Sequence, residues 1–157
     1  MKAHWKVMEE KVREALEREL GVPLPEKPVL LTGTNETYNF DMVSPDGTIV
    51  GETKSSTWTG KGKRRGKPHA KIAHASDACL LLLGAKDAKE RLLVLTDPEF
   101  YKKYVRERQG LIAQVHGVTI RGVRPDKITS KLIVEKPEEI KNLLKESEPT
   151  PKGSPKT

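Results

Sequence analysis

The first twenty residues carry apolar side chains at spacings of three and four, which is the period of one face of an α-helix. This face is formed by Trp5, Met8, Val12, Ala15, Leu16 and Leu20. Gly21 and Pro23 follow directly, and both residue types are common just beyond the end of a helix. The pattern therefore predicts an amphipathic first helix that ends beside Gly21.

Three runs with the composition of β-strands come next, at residues 28–32, 37–44 and 48–53. The last two are joined by Pro45-Asp46-Gly47, which is a strong signal for a β-hairpin. A glycine- and lysine-rich loop follows at residues 60–66. We therefore expect a hairpin whose second strand leads into a basic loop.

The register of this hairpin depends on the type of turn. A two-residue turn at Asp46-Gly47 places Asp41 opposite Glu52, and Lys54 then projects from the same face of the sheet. A three-residue turn with a glycine bulge, which suits the proline before it better, places Asp41 opposite Gly51 instead. The sequence leaves both registers open.

The second half of the chain predicts helices alternating with strands. Pro68 opens a second helix that stops near Gly84, although the apolar residues 80–83 could instead form a buried strand, since periodicity does not separate the two. Residues 91–96 have the composition of a buried strand. A third helix follows, with extended segments at residues 115–123 and 129–135 after it.

The third helix has signals at both ends. Asp97 is placed to cap it, Pro98 occupies its first position, and Gly110 lies just past its expected end. Pro137 opens a last short helix. The order of core elements is helix, strand, strand, strand, helix, strand, and it predicts an α/β fold in which a mixed β-sheet is flanked by helices.

Length and composition predict one domain over residues 1–145. The last residues, 146–157, are rich in Pro, Ser and Lys and are expected to be disordered. The chain has no apolar segment of the length that crosses a membrane and no signal peptide at its start, so we expect a cytoplasmic protein without a membrane partner. Its one cysteine, Cys79, lies in an apolar run and is expected to be a small buried side chain.

The distribution of charge points to a polyanionic partner. The net charge is +7, and residues 55–76 contain no acidic residue. This acid-free segment contains Lys61, Lys63, Arg64, Arg65, Lys67 and Lys71, which are the candidate nucleic-acid-binding residues. Trp58 could stack on a base, but we expect it to pack, and we expect structural roles for His69 and His74.

The strongest chemical signal is Glu52-Thr53-Lys54 at the end of an apolar strand. The spacing of acid, any residue, lysine occurs four times in the chain, but only here does the partner strand carry another acid, Asp41. Two carboxylates directly opposite each other repel unless a cation lies between them. Mg²⁺ prefers carboxylate oxygens and water, and it would supply that charge.

Asp41 followed after ten residues by Glu52-Thr53-Lys54, within this order of elements, resembles the PD-(D/E)xK nuclease superfamily over roughly residues 2 to 96. The resemblance implies a restriction-endonuclease-like core in which Asp41, Glu52 and the Thr53 carbonyl hold Mg²⁺, with Mn²⁺ as an alternative. It implies that Lys54 orients or activates water. Phe40 stands where the family motif has proline.

Some members of the superfamily add a glutamate from the first helix, and Glu9 is the candidate for this extra metal ligand here. The function implied is a Mg²⁺-dependent endonuclease that hydrolyses DNA phosphodiester bonds, of the restriction or repair type. A Holliday-junction resolvase-like nuclease is an alternative, and such an enzyme would act as a homodimer. A catalytically silent nucleic-acid-binding module of the same fold, and a structural protein without a nucleic-acid role, are the other possibilities.

Overall fold

The computed structural model describes residues 4–58 and 66–147 of the chain. Its helices are α1 (His4–Leu20), α2 (His69–Gly84), α3 (Pro98–Tyr104), α4 (Arg108–Val115) and α5 (Ile140–Ser147). Its strands are β1 (Lys27–Leu30), β2 (Thr37–Phe40), β3 (Met42–Val43), β4 (Ile49–Lys54), β5 (Glu90–Leu95), β6 (Val118–Pro125) and β7 (Leu132–Glu135).

A mixed sheet forms the centre of the fold, with the strand order β3-β4-β5-β6-β7. The three inner strands β4, β5 and β6 are parallel, while β3 and β7 pair antiparallel at the two edges. Helices connect the parallel strands, as the geometry of parallel pairing requires. The prediction of an α/β fold with a mixed sheet flanked by helices is confirmed. The first predicted strand, however, lies outside this sheet, because β1 pairs with β2 in a separate two-stranded sheet.

Each face of the sheet has its own apolar core. Leu92 and Val94 of β5 pack with α1 through Val12 and Leu16. The alternate side chains of β5 point to the other face, where they join a larger cluster contributed by α2, α3 and α4. The nearly continuous apolar run of β5 therefore reflects a strand that is covered on both faces.

Residues 80–83 belong to α2, so the alternative prediction of a strand there is wrong. Their accessibility follows the helical period, since Leu82 is 0% exposed and Leu80 is 71% exposed. Cys79, on the same buried face, is 3% exposed, as predicted for a small apolar side chain. Its thiol lies 3.8 Å from the Tyr104 hydroxyl.

The predicted third helix is two helices, so placing its end at Gly110 is wrong. The start agrees with the prediction, because the Asp97 carboxylate accepts a 2.9 Å hydrogen bond from the Phe100 N–H. α3 then ends at Tyr104, and Gly110 lies inside α4. A Cβ atom at Gly110 would stand 1.9 Å from the Tyr104 carbonyl oxygen. This glycine is therefore explained by the close approach of the two helices.

Other boundaries also differ from the predictions. β6 begins at Val118 because α4 continues to Val115, and α5 begins at Ile140 and extends to Ser147. The first two residues of the predicted disordered tail, 146–157, are therefore helical, and the rest of the tail lies outside the described residues. Within the described ranges, no helix combines the length and the apolar character needed to cross a membrane.

Candidate active site

Asp41 interrupts what the sequence predicts to be one strand. The residue before it, Phe40, pairs with Lys27 of β1, and the residue after it, Met42, pairs with Gly51 of β4. The Asp41 backbone is held by side chains instead of a strand ladder. Its N–H donates a 3.0 Å hydrogen bond to the Glu52 carboxylate, and its carbonyl accepts one of 2.9 Å from the Arg13 guanidinium. The chain therefore passes from one sheet to the other at this aspartate.

The hairpin has the first of the two predicted registers. Val43 lies opposite Val50, and continuing the register places Asp41 opposite Glu52. The register from a three-residue turn is wrong, and the connection is also longer than the predicted two residues. Ser44 and Ile49 are joined by a backbone hydrogen bond, which leaves residues 45–48 as the connection.

Glu52 is a buried carboxylate with a partner on each oxygen. Its side chain is 3% exposed. One oxygen accepts from the Asp41 N–H at 3.0 Å, and the other accepts from the Tyr38 hydroxyl at 3.3 Å. Burial, and then the neighbouring charge of Asp41, raise the pKa of Glu52 from 4.5 to about 7. A residue that would normally be ionised is therefore close to its titration midpoint at neutral pH.

Asp41 reaches toward the same strand from its partly buried position. One of its carboxylate oxygens accepts a 2.9 Å hydrogen bond from the Thr53 N–H. Burial raises the pKa of Asp41, while that hydrogen bond and the charge of Lys54 act in the opposite direction. The Lys54 charge also lowers the pKa of Glu52. The ammonium group is therefore near enough to both carboxylates to stabilise their ionised forms.

The Thr53 peptide presents a further oxygen to this group. The Lys54 carbonyl accepts a hydrogen bond from the Thr96 N–H at 3.1 Å and so faces β5. Successive peptide groups of a strand point to opposite edges. The Thr53 N–H and carbonyl therefore face away from β5, toward the edge where Asp41 lies.

Glu9 of α1 lies close enough to Asp41 for the two charges to interact. Burial, followed by the charge of Asp41, raises the pKa of Glu9. Its side chain helps to line a cleft of about 290 Å³ at the end of β4, which is also lined by Met8, Thr53, Lys54, Ser55, Ser56 and His74. Within residues 4–58 and 66–147, however, no three His, Cys, Asp or Glu side chains are grouped so that they could hold a metal ion. Asp41 and Glu52 are the two acids that bind the backbone at this point, through the Thr53 and Asp41 N–H groups.

The predicted nucleic-acid-binding residues are only partly described. Lys61, Lys63, Arg64 and Arg65 lie outside the described residues. Lys67 forms a 3.0 Å ion pair with Glu107. Lys71, near the start of α2, donates a 3.0 Å hydrogen bond to the Thr57 hydroxyl. Lys71 is thereby held next to the chain segment that follows Lys54.

Trp58 and His74 have different surroundings. The Trp58 ring packs edge-on against Phe100 with the ring centres 5.4 Å apart, as expected for a packing residue. The Lys103 ammonium lies 5.5 Å from the centre of the Trp58 ring. His74 lies on α2 and lines the cleft at the end of β4, whereas the sequence predicts only a structural role for it.

Two residues that contact the site were not identified from the sequence. Tyr38 belongs to the two-stranded sheet and reaches Glu52 of the main sheet, while Arg13 projects from α1 onto the Asp41 carbonyl. Both contacts join elements that are distant along the chain. A pattern of spacings in the sequence therefore contains no signal for them.

The comparison with protein-family models finds no match for this chain, and neither does the comparison with curated proteins. Among solved structures, the structure of Pyrococcus furiosus SfsA in complex with Ca²⁺ is similar, with a TM-score of 0.39 and 14% sequence identity. The alignment covers 83% of this chain, and the chain spans 63% of the length of that structure. These comparisons assign no family to the chain, so its function is inferred from the residues of the candidate site.

Proposed function

We propose that this chain is a Mg²⁺-dependent endonuclease that hydrolyses phosphodiester bonds in DNA, with Asp41, Glu52 and Lys54 as its catalytic residues. The observation that carries the proposal is the convergence of these three side chains at the end of β4. There the Asp41 carboxylate binds the Thr53 N–H, the Glu52 carboxylate binds the Asp41 N–H, and the Lys54 charge acts on both acids. Of these three residues, Lys54 lines an open cleft, together with Thr53.

The oxygen donors at this site suit a hard divalent cation. Asp41 and Glu52 would hold Mg²⁺, or Mn²⁺, together with the Thr53 carbonyl, and water would complete the coordination because Mg²⁺ keeps several of its waters. When bound, the ion supplies positive charge to the phosphoryl group and lowers the pKa of a water ligand. The pKa of about 7 at Glu52 supports this assignment, since a buried acid pair of this kind is fully ionised at neutral pH only when a cation compensates it.

Lys54 has the position of a water-orienting residue. It follows Glu52 by two residues on the same strand, so both side chains project from one face of the sheet. Its side chain also lines the cleft. From there the ammonium can donate a hydrogen bond to an attacking water or to a non-bridging phosphate oxygen, and it can stabilise the negative charge that develops during attack.

DNA as the substrate is supported by the charge of the chain. The acid-free segment, residues 55–76, begins directly after Lys54, so its cations are close in sequence to the site. A phosphate backbone binds such clusters mainly through electrostatic attraction, and the affinity falls as salt is added. We therefore expect the segment to bind the strand on which the site acts.

Cleavage of supercoiled plasmid tests this function. The wild type should cut with Mg²⁺ and should not cut with EDTA. The variants Asp41→Asn, Glu52→Gln and Lys54→Met should each lose at least about a hundredfold in rate, because each removes a group that acts on the reacting atoms. The matched controls are Glu139→Gln and Lys141→Met, which alter the same acid-x-lysine spacing at exposed positions and should cut at the wild-type rate.

Three outcomes would contradict the proposal. Salt-dependent binding of DNA without cleavage under any divalent metal would identify a catalytically silent binding module. Cleavage of a four-way junction in strong preference to linear duplex, by a dimer in solution, would identify a Holliday-junction resolvase-like nuclease. Unchanged cutting by the Asp41 and Glu52 variants would show that the active site lies elsewhere.

A further inference from the structure

The turn between β6 and β7 presents an isoleucine to solvent. Ile128 is 92% exposed. It has no packing role in the described structure, and isoleucine is not among the residue types that favour turns. The same turn region, residues 124–131, contains three basic residues and one acid.

The conformation of this turn is defined by Asp126. Its carboxylate accepts hydrogen bonds from the Thr129 hydroxyl at 2.7 Å and from the N–H groups of Ile128 and Thr129, both at 3.4 Å. Its N–H donates to the Lys131 carbonyl at 2.6 Å. Ile128 is therefore held at the tip of an ordered hairpin, between Lys127 and Lys131.

The two lysines of the tip are available to an anion. Within the described parts of the chain, neither Lys127 nor Lys131 takes part in a salt bridge, and both are exposed. Arg124, by contrast, is paired with Glu135. The tip thus combines one apolar side chain with two cations that have no acidic partner in those ranges.

The tip and the candidate active site lie at the same end of the sheet. Lys54 is the partner of Leu95, and Leu95 is the partner of Gly122, so these residues form one row across three parallel strands. β6 continues past this row to Pro125. With a strand spacing of about 4.8 Å and a rise of about 3.3 Å per residue, the tip is roughly 15 to 20 Å from Lys54. That is about five base pairs of duplex DNA at 3.4 Å per base pair.

We propose that the β6–β7 tip docks on duplex DNA beside the candidate active site and inserts Ile128 at a base step, while Lys127 and Lys131 bind the flanking phosphates. The proposal deepens the proposed function and takes duplex DNA as the partner from it. Apolar wedges of this kind, isoleucine among them, partly unstack a base step and kink the duplex. A membrane surface fits less well, because stable anchoring takes more apolar area than a single side chain provides.

The experiment measures binding and helix unwinding without cleavage. In EDTA, the affinity for a fluorescein-labelled 30-base-pair duplex is measured by anisotropy over a series of salt concentrations. Unwinding is measured on a closed circular plasmid, relaxed by a metal-independent topoisomerase in the presence of the protein. We expect wild type to change the plasmid linking number, and Ile128→Ala to abolish that change while weakening binding about threefold to tenfold.

Variants of the two lysines separate the contribution of charge to DNA binding from the contribution of the inserted Ile128 side chain. The double variant Lys127→Gln, Lys131→Gln should bind at least tenfold more weakly and should lower the slope of log affinity against log salt by about 2, since each phosphate contact contributes about 0.9. Leu80→Ala is the control. Leu80, like Ile128, is an exposed branched apolar side chain, and it lies on the outer face of α2 with 71% of its surface accessible. It should behave as wild type in both assays.

The outcomes distinguish this inference from the nuclease. If wild type cuts plasmid with Mg²⁺ but Ile128→Ala unwinds and binds as wild type does, the insertion of Ile128 is refuted and the proposed nuclease activity is supported. If the wild type unwinds DNA in a manner that requires Ile128 but never cuts, the insertion of Ile128 is supported and the proposed nuclease activity is refuted. Binding to anionic phosphatidylserine vesicles without binding to DNA, or a change of oligomeric state in Ile128→Ala, would also overturn the wedge.

Discussion

Replacing Glu52 by glutamine should make the protein more stable at neutral and alkaline pH, although it should abolish cleavage. Glutamine has nearly the shape of glutamate and keeps both hydrogen bonds, since its carbonyl oxygen can accept from the Asp41 N–H and its amide can donate to the Tyr38 hydroxyl. The substitution therefore removes the buried charge and little else.

The size of the effect follows from the pKa of Glu52. In the folded protein this pKa is raised from 4.5 to about 7. Between these values the folded state binds a proton that the unfolded state has released, so the free energy of unfolding falls as pH rises. At 1.36 kcal/mol for each pKa unit, the loss attributable to Glu52 is about 3 kcal/mol and is complete above about pH 8. Below pH 4.5, both states carry the neutral acid, and the two proteins should be equally stable.

Urea denaturation of wild type and Glu52→Gln at pH 4, 5, 6, 7 and 8, without divalent metal, measures this difference. The advantage of the variant should grow with pH to about 3 kcal/mol. Glu139→Gln is the control, because Glu139 has a side chain that is 77% exposed, and its curve should follow that of wild type. Mg²⁺ at pH 8 should stabilise wild type more than Glu52→Gln, because a ligand of the folded state stabilises it by mass action.

Parallel stability curves for wild type and Glu52→Gln between pH 5 and 8 would refute this reasoning. So would a variant that is less stable than wild type at pH 8. Either result would mean that the folded protein holds Glu52 ionised without cost, and that the geometry around it offers full compensation without a metal ion. A stability gain accompanied by loss of cleavage is, in contrast, the behaviour expected of a carboxylate retained for function.

Other predictions concern the framework that holds the site. Leu82→Ala should lower the free energy of unfolding by about 3 kcal/mol because Leu82 is fully buried, whereas Leu80→Ala, on the exposed side of α2, should change it by less than about 0.5 kcal/mol in urea denaturation. Gly110→Ala should cost about 3 kcal/mol by the same measurement, because its Cβ would overlap the Tyr104 carbonyl, whereas Gly84→Ala meets only ordinary contacts and should be neutral or stabilising by up to about 1 kcal/mol. Asp97→Ala removes the cap of α3 and should lower the melting temperature, with a loss of about 1 kcal/mol.

The local pattern of the sequence was sufficient to predict an element where that element is amphipathic or has a specific signal at its end. The helical period of α1, the Asp97 cap and the apolar run of β5 all predicted elements that the structure contains. It was insufficient for the apolar residues 80–83, where a buried helix and a buried strand have the same composition. It was also insufficient at Gly110, because the reason for that glycine is a carbonyl group six residues earlier in the chain, brought close by a sharp turn between two helices.

At the candidate site, too, some features follow from the sequence and others only from the tertiary structure. The sequence by itself determined which side chains could do the chemistry, since Asp41, Glu52 and Lys54 are related by the alternation of strands and by one hairpin. Only the tertiary structure decided the register, the passage of the chain between two sheets at Asp41, and the contacts of Tyr38 and Arg13 with the acids. It also decided the pKa of Glu52, because that value depends on burial and on the nearby charge of Asp41. Composition fixes which groups can ionise, but the surrounding packing sets how much water and charge each of them meets.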